Sequence, residues 1–218
     1  MSCVPCGARS RVAEVGRYAQ NMSEQEMCAA DPLALFQDWM KEAEASEPND
    51  PNAVALATAS AGGMPSVRMV LMKRASAGGF CFFTNSGSEK GEQLAENPQA
   101  AMCFHWKSLR RQVRIEGAVH DLPASEVDEY FHSRSRRSQL GAAVSMQSRP
   151  LESREILERQ VQEFGAQHPD EVTRPTYWRG YCLYAERIEF WRDGKDRLHD
   201  RFLYSRKGET WAAHRLYP

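Results

Sequence analysis

Short apolar runs with a spacing of two recur along most of the chain, as in strands whose alternate side chains face a core. Turn-forming pairs such as Gly62-Gly63 and Gly78-Gly79 separate the runs, which favours antiparallel hairpins. We therefore expect the first strands to form an antiparallel meander. The predicted strands cover residues 53–60, 66–73, 80–84, 100–106, 112–120, 177–191, 197–205 and 210–216.

Other segments show helical spacing. Apolar residues from Leu33 to Met40 recur every three or four positions after Asp31-Pro32, where Asp31 suits an N-cap and Pro32 a first turn. Ser88 is expected to cap the next helix. The helices after the first are predicted over residues 88–94, 123–131, 135–144 and 152–167.

This order of elements predicts an α+β fold that is mainly antiparallel β, a barrel with surrounding helices. Residues 1–30 are small, polar and without strong periodicity, so we expect a flexible N-terminal arm. Residues 31–218 show neither an internal repeat nor a change of composition, and we interpret them as a single domain.

Composition then excludes several classes of protein. The net charge of -1 creates no global basic field for nucleic acid or an anionic membrane, and no apolar run could span a bilayer. The N-terminus lacks the apolar core of a secretory signal, so we expect a cytoplasmic protein. Any phosphate binding must then come from local clusters of charge.

Six cysteines occur in the chain. Cys3 and Cys6 have the spacing of a metal or redox pair, but no second pair accompanies them. Cys81 and Cys103 lie in apolar runs and are interpreted as small buried hydrophobic residues. We predict no metal site and no disulfide. The signatures of dinucleotide-binding folds, P-loops and zinc proteases are also absent.

The segment 188–201 has the pattern of a β-hairpin with a turn at Asp193-Gly194. If the returning strand begins at Arg197, alternation places Arg197, His199 and Arg201 on one face. Two guanidinium groups beside an imidazole could hold an anionic or electron-rich ligand. An ion-pair network on a solvated face is the alternative.

Two further clusters carry cations in strands and turns. Arg68 and Lys73 have opposite parity along one predicted strand, so they could serve two anionic groups, or one of them could be a surface charge. The segment 83–90 combines a strand, a glycine turn, a capping serine and Lys90 at a helix start. That arrangement suits a phosphate, although most such serines only cap a helix.

The last cluster is helical. Tyr130, Arg134 and Ser138 are spaced i, i+4 and i+8, so one helix would place all three on one face. A phenol, a guanidinium and a hydroxyl together suit a phosphate monoester. The alternative is an ordinary solvated basic helix.

Together these clusters resemble the pyridoxine (pyridoxamine) 5′-phosphate oxidase family over almost the whole chain from Asp31 onward. The separated motifs that carry the resemblance, in order, are the Arg68–Lys73 strand, Phe83-Thr84-Asn85, Arg111-Gln112-Val113, Tyr130–Arg134, Ser138–Gly141, Gln147-Ser148, Ile188–Trp191, Arg197–Arg201 and Arg215-Leu216.

The resemblance implies a split-barrel FMN-binding fold and a homodimer with flavin sites at the subunit interface. It implies oxidation of pyridoxine 5′-phosphate or pyridoxamine 5′-phosphate to pyridoxal 5′-phosphate, with O2 as acceptor and H2O2 as product. The substrate would transfer a hydride to the flavin, and the amine product would be released by imine hydrolysis.

Roles follow from the resemblance residue by residue. Arg197 and His199 would face the substrate ring beside the flavin as catalytic residues, with Arg197 the stronger candidate. The substrate phosphate would contact Lys73, Tyr130, Arg134 and Ser138. FMN would contact Arg68, Met69, Val70, Leu71, Lys73, Phe83, Thr84, Lys90, Gln112, Gln147, Ser148, Trp191 and Arg201.

The chain departs from the family pattern at three places. Glu89 stands where arginine is usual, so one phosphate contact is expected to be lost, and Ser135 replaces a common proline. The loop 174–180 departs from a tighter proline- and glycine-rich version. Two other functions stay open: a related flavin oxidase of the phenazine-biosynthesis type, and a non-catalytic carrier of flavin or pyridoxal phosphate.

Overall fold

The computed structural model describes residues 31–218. The predicted N-terminal arm and the Cys3/Cys6 pair lie outside the described residues. The described helices are α1 (Pro32–Ser46), α2 (Glu89–Glu96), α3 (Ala124–Ser133), α4 (Arg136–Val144) and α5 (Arg154–Gln167). The strands are β1 (Ala53–Ala59), β2 (Pro65–Leu71), β3 (Arg74–Ser76), β4 (Gly79–Asn85), β5 (Gln99–Trp106), β6 (Arg111–Asp121), β7 (Trp178–Arg192), β8 (Asp200–Lys207) and β9 (Thr210–Arg215).

The nine strands form one curled sheet in which every pairing is antiparallel. The main path runs β2-β1-β5-β6-β7-β4-β3, and β8 and β9 extend from β7. The predicted fold class, mainly antiparallel β with surrounding helices, is confirmed. Strand β7 holds the branches together, since its first part pairs with β4 and its last part with β8.

The predicted meander is wrong for the first strands. Strands β2 and β3 follow one another along the chain but lie at opposite ends of the main path, because β1 pairs with β5 and β4 with β7. The chain leaves β2 at Leu71, two residues before the predicted end. Met72 then turns into the core, and the Lys73 N–H donates to the Cys81 carbonyl oxygen at 2.8 Å. This break separates the two halves of the sheet.

Helix α1 covers the core of the barrel. The Phe36 ring lies 4.9 Å from Phe80 and 5.2 Å from Phe104, in edge-to-face geometry. Asp31 accepts a hydrogen bond from the Leu33 N–H at the start of the helix, as its N-cap position predicts. A separate apolar cluster joins α3 to β7 through residues such as Phe131 and Trp178. Among residues 31–218, no helix combines the length and apolar character needed to cross a membrane.

The prediction that the cysteines form no disulfide is wrong. Cys81 in β4 and Cys182 in β7 stand directly opposite each other in the register and form a disulfide. Cys81 was expected only to fill the core, no such role was predicted for Cys182, and both residues are buried. Their positions in strands that are 101 residues apart gave no sequence signal of pairing. Cys103 is the free cysteine of the described residues.

The turn that precedes α2 depends on the absence of a side chain at Gly91. A Cβ atom at this position would lie 2.3 Å from the Ser86 carbonyl oxygen, closer than real Cβ contacts occur. The obstacle is backbone, so a flexible side chain cannot move aside to relieve it. The tight contact fixes the turn 86–88 against the first turn of α2.

We predict that Gly91→Ala displaces this turn and lowers the free energy of unfolding by about 1–3 kcal/mol, the usual cost of overpacking. Chemical denaturation would measure the change. Gly62→Ala is the matched control, because its Cβ would meet only the Ser60 Oγ at 3.8 Å. Equal stabilities for both variants and the original protein would contradict the account.

Candidate functional site

A cavity of about 580 Å³ opens where β2, β4 and the junction between α3 and α4 meet. Most of its lining was predicted from the sequence, although the structure leaves the functional roles as predictions. The predicted residues that line it are Arg68, Met69, Val70, Leu71, Lys73, Phe83, Thr84, Lys90, Tyr130, Arg134, Ser138 and Gln147. Arg68 and Lys73 reach the same cavity because β2 ends at Leu71, so the alternation of a continuous strand does not apply to Lys73.

Arg68 and Lys90 form the first pair of cations. The Arg68 Nη1 donates to Thr58 Oγ1 at 2.6 Å and to the Leu56 carbonyl oxygen at 3.2 Å. Lys90 is only 7% exposed, and its Nζ donates to Gln147 Oε1 at 2.9 Å and to Ser88 Oγ at 3.2 Å. None of these acceptors carries a negative charge. The two cations are therefore held in place by neutral oxygen atoms.

Burial governs the electrostatics of this pair. It lowers the pKa of Arg68, and the negative charge of Glu89 opposes part of that shift. The pKa of Lys90 is lowered by burial first and by repulsion from Arg68 second, again opposed by Glu89. An anion bound between them would relieve the repulsion and replace lost hydration.

Gln147 ties the segment after α4 to this pair. Its Oε1 accepts from Thr84 Oγ1 at 3.1 Å as well as from Lys90. Asn85 reinforces the link, because its Nδ2 donates to the Ser145 carbonyl oxygen at 3.1 Å. Ser88 lies at the N-cap of α2, but its hydroxyl donates to the Asn85 carbonyl oxygen instead of accepting from the helix. The predicted side-chain cap is therefore absent, and the hydroxyl stabilises the turn.

Lys73 and Arg134 form a second pair beside an aromatic wall. The Tyr130 ring stacks on Phe83 at 4.1 Å, and Phe83 stacks on Trp178 at 5.4 Å. The Lys73 Nζ lies 5.8 Å from the centre of the Tyr130 ring, and the Arg134 guanidinium 4.9 Å from that of Trp178. Sequence reasoning missed Trp178; the only signal was an aromatic pair, Tyr177-Trp178, at the start of a strand.

Arg134 carries a donor that the described residues do not satisfy. Its Nη1 is buried without a hydrogen-bond partner, and burial lowers the pKa of the guanidinium. A buried unpaired donor on a cation is costly unless a ligand pairs with it. This atom therefore fits an anionic group of a ligand bound in the cavity.

The prediction that Tyr130, Arg134 and Ser138 share one helix face is wrong. Helix α3 ends at Ser133, Arg134 is extended, and α4 begins at Arg136. Ser135 Oγ accepts from the Ser138 N–H at 3.4 Å and caps α4. The three side chains line the same cavity because this break folds the two helices around it.

Six predicted residues do not line the cavity: Gln112, Ser148, Trp191, Arg197, His199 and Arg201. Three of them form a row across the sheet, since Trp191 in β7 pairs with Gln112 in β6 and with Arg201 in β8. Arg201 donates to Glu189 Oε1 at 2.8 Å, and this hydrogen bond raises its pKa. The row lies at the opposite end of β7 from Trp178.

The hairpin itself is confirmed, but its turn is longer than Asp193-Gly194. Residues Lys195–Arg197 form a 3-10 turn, and β8 begins only at Asp200. The predicted common strand face of Arg197, His199 and Arg201 is therefore wrong. Arg197 has a φ of 64°, in the left-handed region that costs a non-glycine residue about 1–3 kcal/mol.

His199 is held by its neighbours in this turn. Its ring lies 4.7 Å from that of Trp191. The Gly194 N–H lies 3.2 Å from Nδ1, and Asp193 Oδ1 lies 3.3 Å from the same nitrogen. Asp193 in turn forms an ion pair with Arg110. The Gly194 N–H can donate to Nδ1 only when Nδ1 carries no proton, whereas Asp193 Oδ1 can accept from Nδ1 only when it does.

Comparison with known proteins identifies the family. Residues 40–168 match the model described as pyridoxamine 5′-phosphate oxidase, and residues 178–218 match the pyridoxine 5′-phosphate oxidase C-terminal dimerisation region. A pyridoxine/pyridoxamine 5′-phosphate oxidase of Maricaulis maris is 56% identical over 191 residues, covering 86% of each chain. One of Rhodospirillum rubrum is 54% identical over 194 residues, covering 86% of this chain and 96% of the relative.

Solved structures agree with the fold. PhzG from Burkholderia lata 383, in complex with tetrahydrophenazine-1-carboxylic acid, matches with a TM-score of 0.84 and 32% identity, covering 91% of this chain and 98% of that one. A pyridoxamine 5′-phosphate oxidase-related, FMN-binding protein of Nostoc punctiforme matches with a TM-score of 0.71 at 16% identity, covering 87% and 100%. The fold, the two family matches and identities above half of the aligned residues together place the chain in the pyridoxine/pyridoxamine 5′-phosphate oxidase family.

Proposed function

We propose that the protein is an FMN-dependent oxidase that converts pyridoxine 5′-phosphate or pyridoxamine 5′-phosphate to pyridoxal 5′-phosphate. The alcohol and O2 give the aldehyde and H2O2; the amine also consumes water and releases ammonia. The observation that carries the proposal is the presence of two separate pairs of cations in one cavity, one pair for each phosphate. A protein that only carries one phosphorylated molecule would need only one pair of cations.

Arg68 and Lys90 fit the phosphate of FMN. Both are partly dehydrated, neither has a carboxylate as hydrogen-bond partner, and Gln147 and Thr84 add polar atoms beside them. When bound, FMN supplies the redox chemistry by accepting a hydride from the substrate and passing the electrons to O2. The protein contributes binding, orientation and charge.

Lys73, Arg134, Tyr130 and Ser138 fit the phosphate of the substrate. The unpaired Arg134 Nη1 and the Tyr130 hydroxyl offer hydrogen bonds to its oxygen atoms. Binding energy at this phosphate holds the distant ring in the geometry needed for reaction. Arg197 and His199 then orient the ring.

A homodimer would explain why the row across the sheet and the turn 193–199 lie away from the cavity. Trp178 lines the cavity, and Trp191 belongs to the row at the other end of β7, 13 positions later. Along an extended strand this separation approaches about 40 Å, so one subunit does not bring both ends to one ligand. We propose that the row and the turn 193–199 of one subunit complete the cavity of its partner.

The edge strand β2 offers the contact surface for such a dimer. It is the terminal strand of the main path, and Val67, Met69 and Leu71 are 67%, 64% and 40% exposed on its outer face. An edge strand with an apolar face is normally covered. Met69 and Leu71 also line the cavity, so a partner that covers them would close it.

The phenazine-type alternative rests on the similarity to PhzG, whose structure holds a carboxylic acid ligand. The cavity favours the phosphorylated substrate because Lys73 and Arg134 provide two cations beside Tyr130 in addition to the Arg68 and Lys90 pair. Oxygen consumption by the protein loaded with FMN decides between them. We expect turnover with pyridoxine 5′-phosphate and little with unphosphorylated pyridoxine; turnover confined to tricyclic carboxylic acids would refute the proposal.

The purified protein is predicted to be yellow and to contain about one FMN per chain, because a single cavity holds the Arg68 and Lys90 pair. Extraction and chromatography of the pigment would test this. Recovery of FAD, or failure to bind added FMN, would refute the cofactor assignment.

We predict a dimer that Val67→Asp disrupts, since the change places a charge in the proposed interface. Light scattering should show a shift toward monomer, with loss of bound FMN in the same sample. Leu151→Asp is the matched control, because Leu151 is an exposed apolar residue outside β2. A monomeric original protein that still binds FMN and turns over would rule out the shared site.

Replacing Glu89 by arginine should tighten FMN binding. The change removes a negative charge beside the Arg68 and Lys90 pair and adds a donor for phosphate. Glu89 is exposed, so the gain should be only a few tenths to about 1 kcal/mol. Quenching of flavin fluorescence would measure the dissociation constant.

Glu96→Arg is the control for that change, because it makes the same alteration of charge at the other end of α2. It should leave the dissociation constant almost unaltered. Equal tightening by both variants would mean that net charge, and not proximity to the phosphate, is responsible.

Arg134 and Arg197 are expected to affect different parts of the reaction. Arg134→Ala should mainly raise KM for the phosphorylated substrate, whereas Arg197→Ala should also lower kcat because it disturbs the ring. Each loss should amount to about 1.5–3 kcal/mol, the value of one charge-assisted contact. Neither change should release FMN, but Arg68→Ala should weaken its binding.

Unphosphorylated pyridoxine separates the two roles. Arg134→Ala should hardly alter the low activity on this substrate, while Arg197→Ala should still reduce it. If the activity of both variants falls by the same factor on both substrates, the assignment of Arg134 to the phosphate and of Arg197 to the ring is wrong.

A further inference from the structure

The Cys81–Cys182 disulfide lies beside the proposed substrate site without belonging to it. The two cysteines join β4 to β7 at positions directly opposite in the register. Neighbouring backbone pairs, from Phe80 with Leu183 to Asn85 with Trp178, hold the same strands together. The strands therefore stay paired when the covalent bond opens, so the disulfide can change state within a folded chain.

The backbone of Lys73 is hydrogen-bonded to the backbone of Cys81. Its N–H donates to the Cys81 carbonyl oxygen at 2.8 Å, and the next residue, Arg74, stands opposite Cys81 in the β3–β4 pairing. Lys73 belongs to neither β2 nor β3 and lies in the break between them. The position of the Lys73 backbone therefore depends on that of Cys81.

Cys81 is buried, with 1% of its surface exposed, and the route by which a small molecule would approach it is the cavity that it lines. This cavity has a volume of about 310 Å³ and is also lined by Lys73, Tyr130 and Glu126. The Arg74 Nη2 lies 3.5 Å from the Cys81 sulfur, and Glu126 holds the same guanidinium at 2.7 Å. A positive charge beside a thiol favours the thiolate, which is the reactive form.

Cys182 has different surroundings. Its sulfur lies 3.0 Å from the Gly78 carbonyl oxygen, which can accept an S–H hydrogen bond once the disulfide is reduced. A carbonyl oxygen, that of Gly79, also lies 4.0 Å from the Cys81 sulfur, so the Arg74 guanidinium is what distinguishes Cys81 from Cys182. The two environments assign Cys81 as the thiolate that reacts first and Cys182 as the thiol that then closes the disulfide.

We propose that Cys81 and Cys182 form a reversible redox site, oxidised by hydrogen peroxide and reduced by small dithiols, that sets the affinity for phosphorylated substrate through Lys73. The Cys81 thiolate attacks one peroxide oxygen, the O–O bond breaks, and the released hydroxide takes a proton to become water. Cys182 then attacks the sulfenic sulfur, and the S–O bond breaks with loss of a second water. A dithiol reverses the change by thiol–disulfide exchange. Its two thiols are oxidised to a disulfide, and their two protons pass to the cysteine sulfurs, which are reduced to thiols.

The source of peroxide rests on the proposed function, since the proposed oxidase releases H2O2 close to this cavity. The chemistry of the two cysteines does not rest on it, because added H2O2 can replace the product. Oxidation and activity can therefore be tested separately.

The first experiment maps the cysteines chemically in the full chain. Protein is reduced with dithiothreitol, desalted and divided; one half receives H2O2, and both are alkylated under denaturing conditions and analysed by peptide mass spectrometry. We expect Cys81 and Cys182 to be alkylated only in the half that received no peroxide. Peptide mapping separates them from Cys3, Cys6 and Cys28, which are also present in the chain.

Cys103 is the internal control. It is the free cysteine of the described residues, and burial raises the pKa of its thiol. It should be alkylated in both halves. Equal alkylation of Cys81 and Cys182 with and without peroxide would overturn the redox site, whether or not the protein is an oxidase.

The second experiment measures the effect on the substrate site. Reduced protein should show a KM for pyridoxine 5′-phosphate about threefold to tenfold higher than oxidised protein, with similar kcat, since Lys73 is loosened and not removed. Cys182→Ser should keep the higher KM and ignore peroxide, while Cys103→Ser should respond like the original chain. If Cys182→Ser does not fold, the comparison of reduced and oxidised original protein is sufficient.

A binding measurement separates this proposal from the proposed function. The dissociation constant of pyridoxal 5′-phosphate, followed by its absorbance, should change by the same factor even in protein that shows no turnover. Identical affinities and identical KM values in the two redox states would overturn the link to Lys73.

Discussion

Partly dehydrated cations without a negatively charged partner are the constraint on which the site depends. Burial lowers the pKa of both Arg68 and Lys90, and repulsion from Arg68 lowers the pKa of Lys90 further. Among the described residues, neither forms an ion pair with a carboxylate within 4.0 Å, and Glu89 compensates only at longer range. Neutral oxygen atoms from Thr58, Gln147 and Ser88 hold the cations in place. A bound anion would remove this electrostatic cost, which is why we propose that the cavity binds phosphates.

The cations reach one cavity because of breaks between regular elements as much as because of the regular strands themselves. The chain leaves β2 after Leu71, and this break carries Lys73 to the cavity of Arg68. The break between α3 and α4 does the same for Arg134 and Ser138. Strand β7 connects the aromatic wall at Trp178 with the row at Trp191, and its length explains why we propose a second subunit. The same strand carries Cys182, so the proposed redox site and the proposed substrate site both include residues of β7.

Sequence patterns predicted the regular elements well because local spacing determines them. Apart from β3, for which no strand was predicted, the limits of the predicted strands and later helices agree with the structure to within about three residues. The pairing of β1 with β5 and of β4 with β7 was not predictable, since it depends on how the sheet curls. The Cys81–Cys182 bond depends on that same pairing. Arg197 was misplaced because alternation was extended through a turn that contains two residues with positive φ.

The candidate site shows the same division between local and long-range information. Motif resemblance selected twelve of the cavity-lining residues, which no spacing rule could have assembled from segments far apart in the chain. Trp178 was missed because an aromatic residue at a strand start is normally a core residue, and Trp178 is in fact buried. Arg134 reaches the cavity, but a break between α3 and α4 stands where its spacing had predicted a continuous helix. Residue types were therefore more informative than assumed geometry.

A crystal structure of the protein with FMN and pyridoxal 5′-phosphate bound would test the central claim most directly, because it locates both phosphates. The account predicts the FMN phosphate between Arg68 and Lys90, and the other phosphate against Lys73, Tyr130 and Arg134. It also predicts that Arg197 and His199 reach the ligands from the partner subunit. Both phosphates at one cation pair, or a complete site within a single subunit, would contradict it.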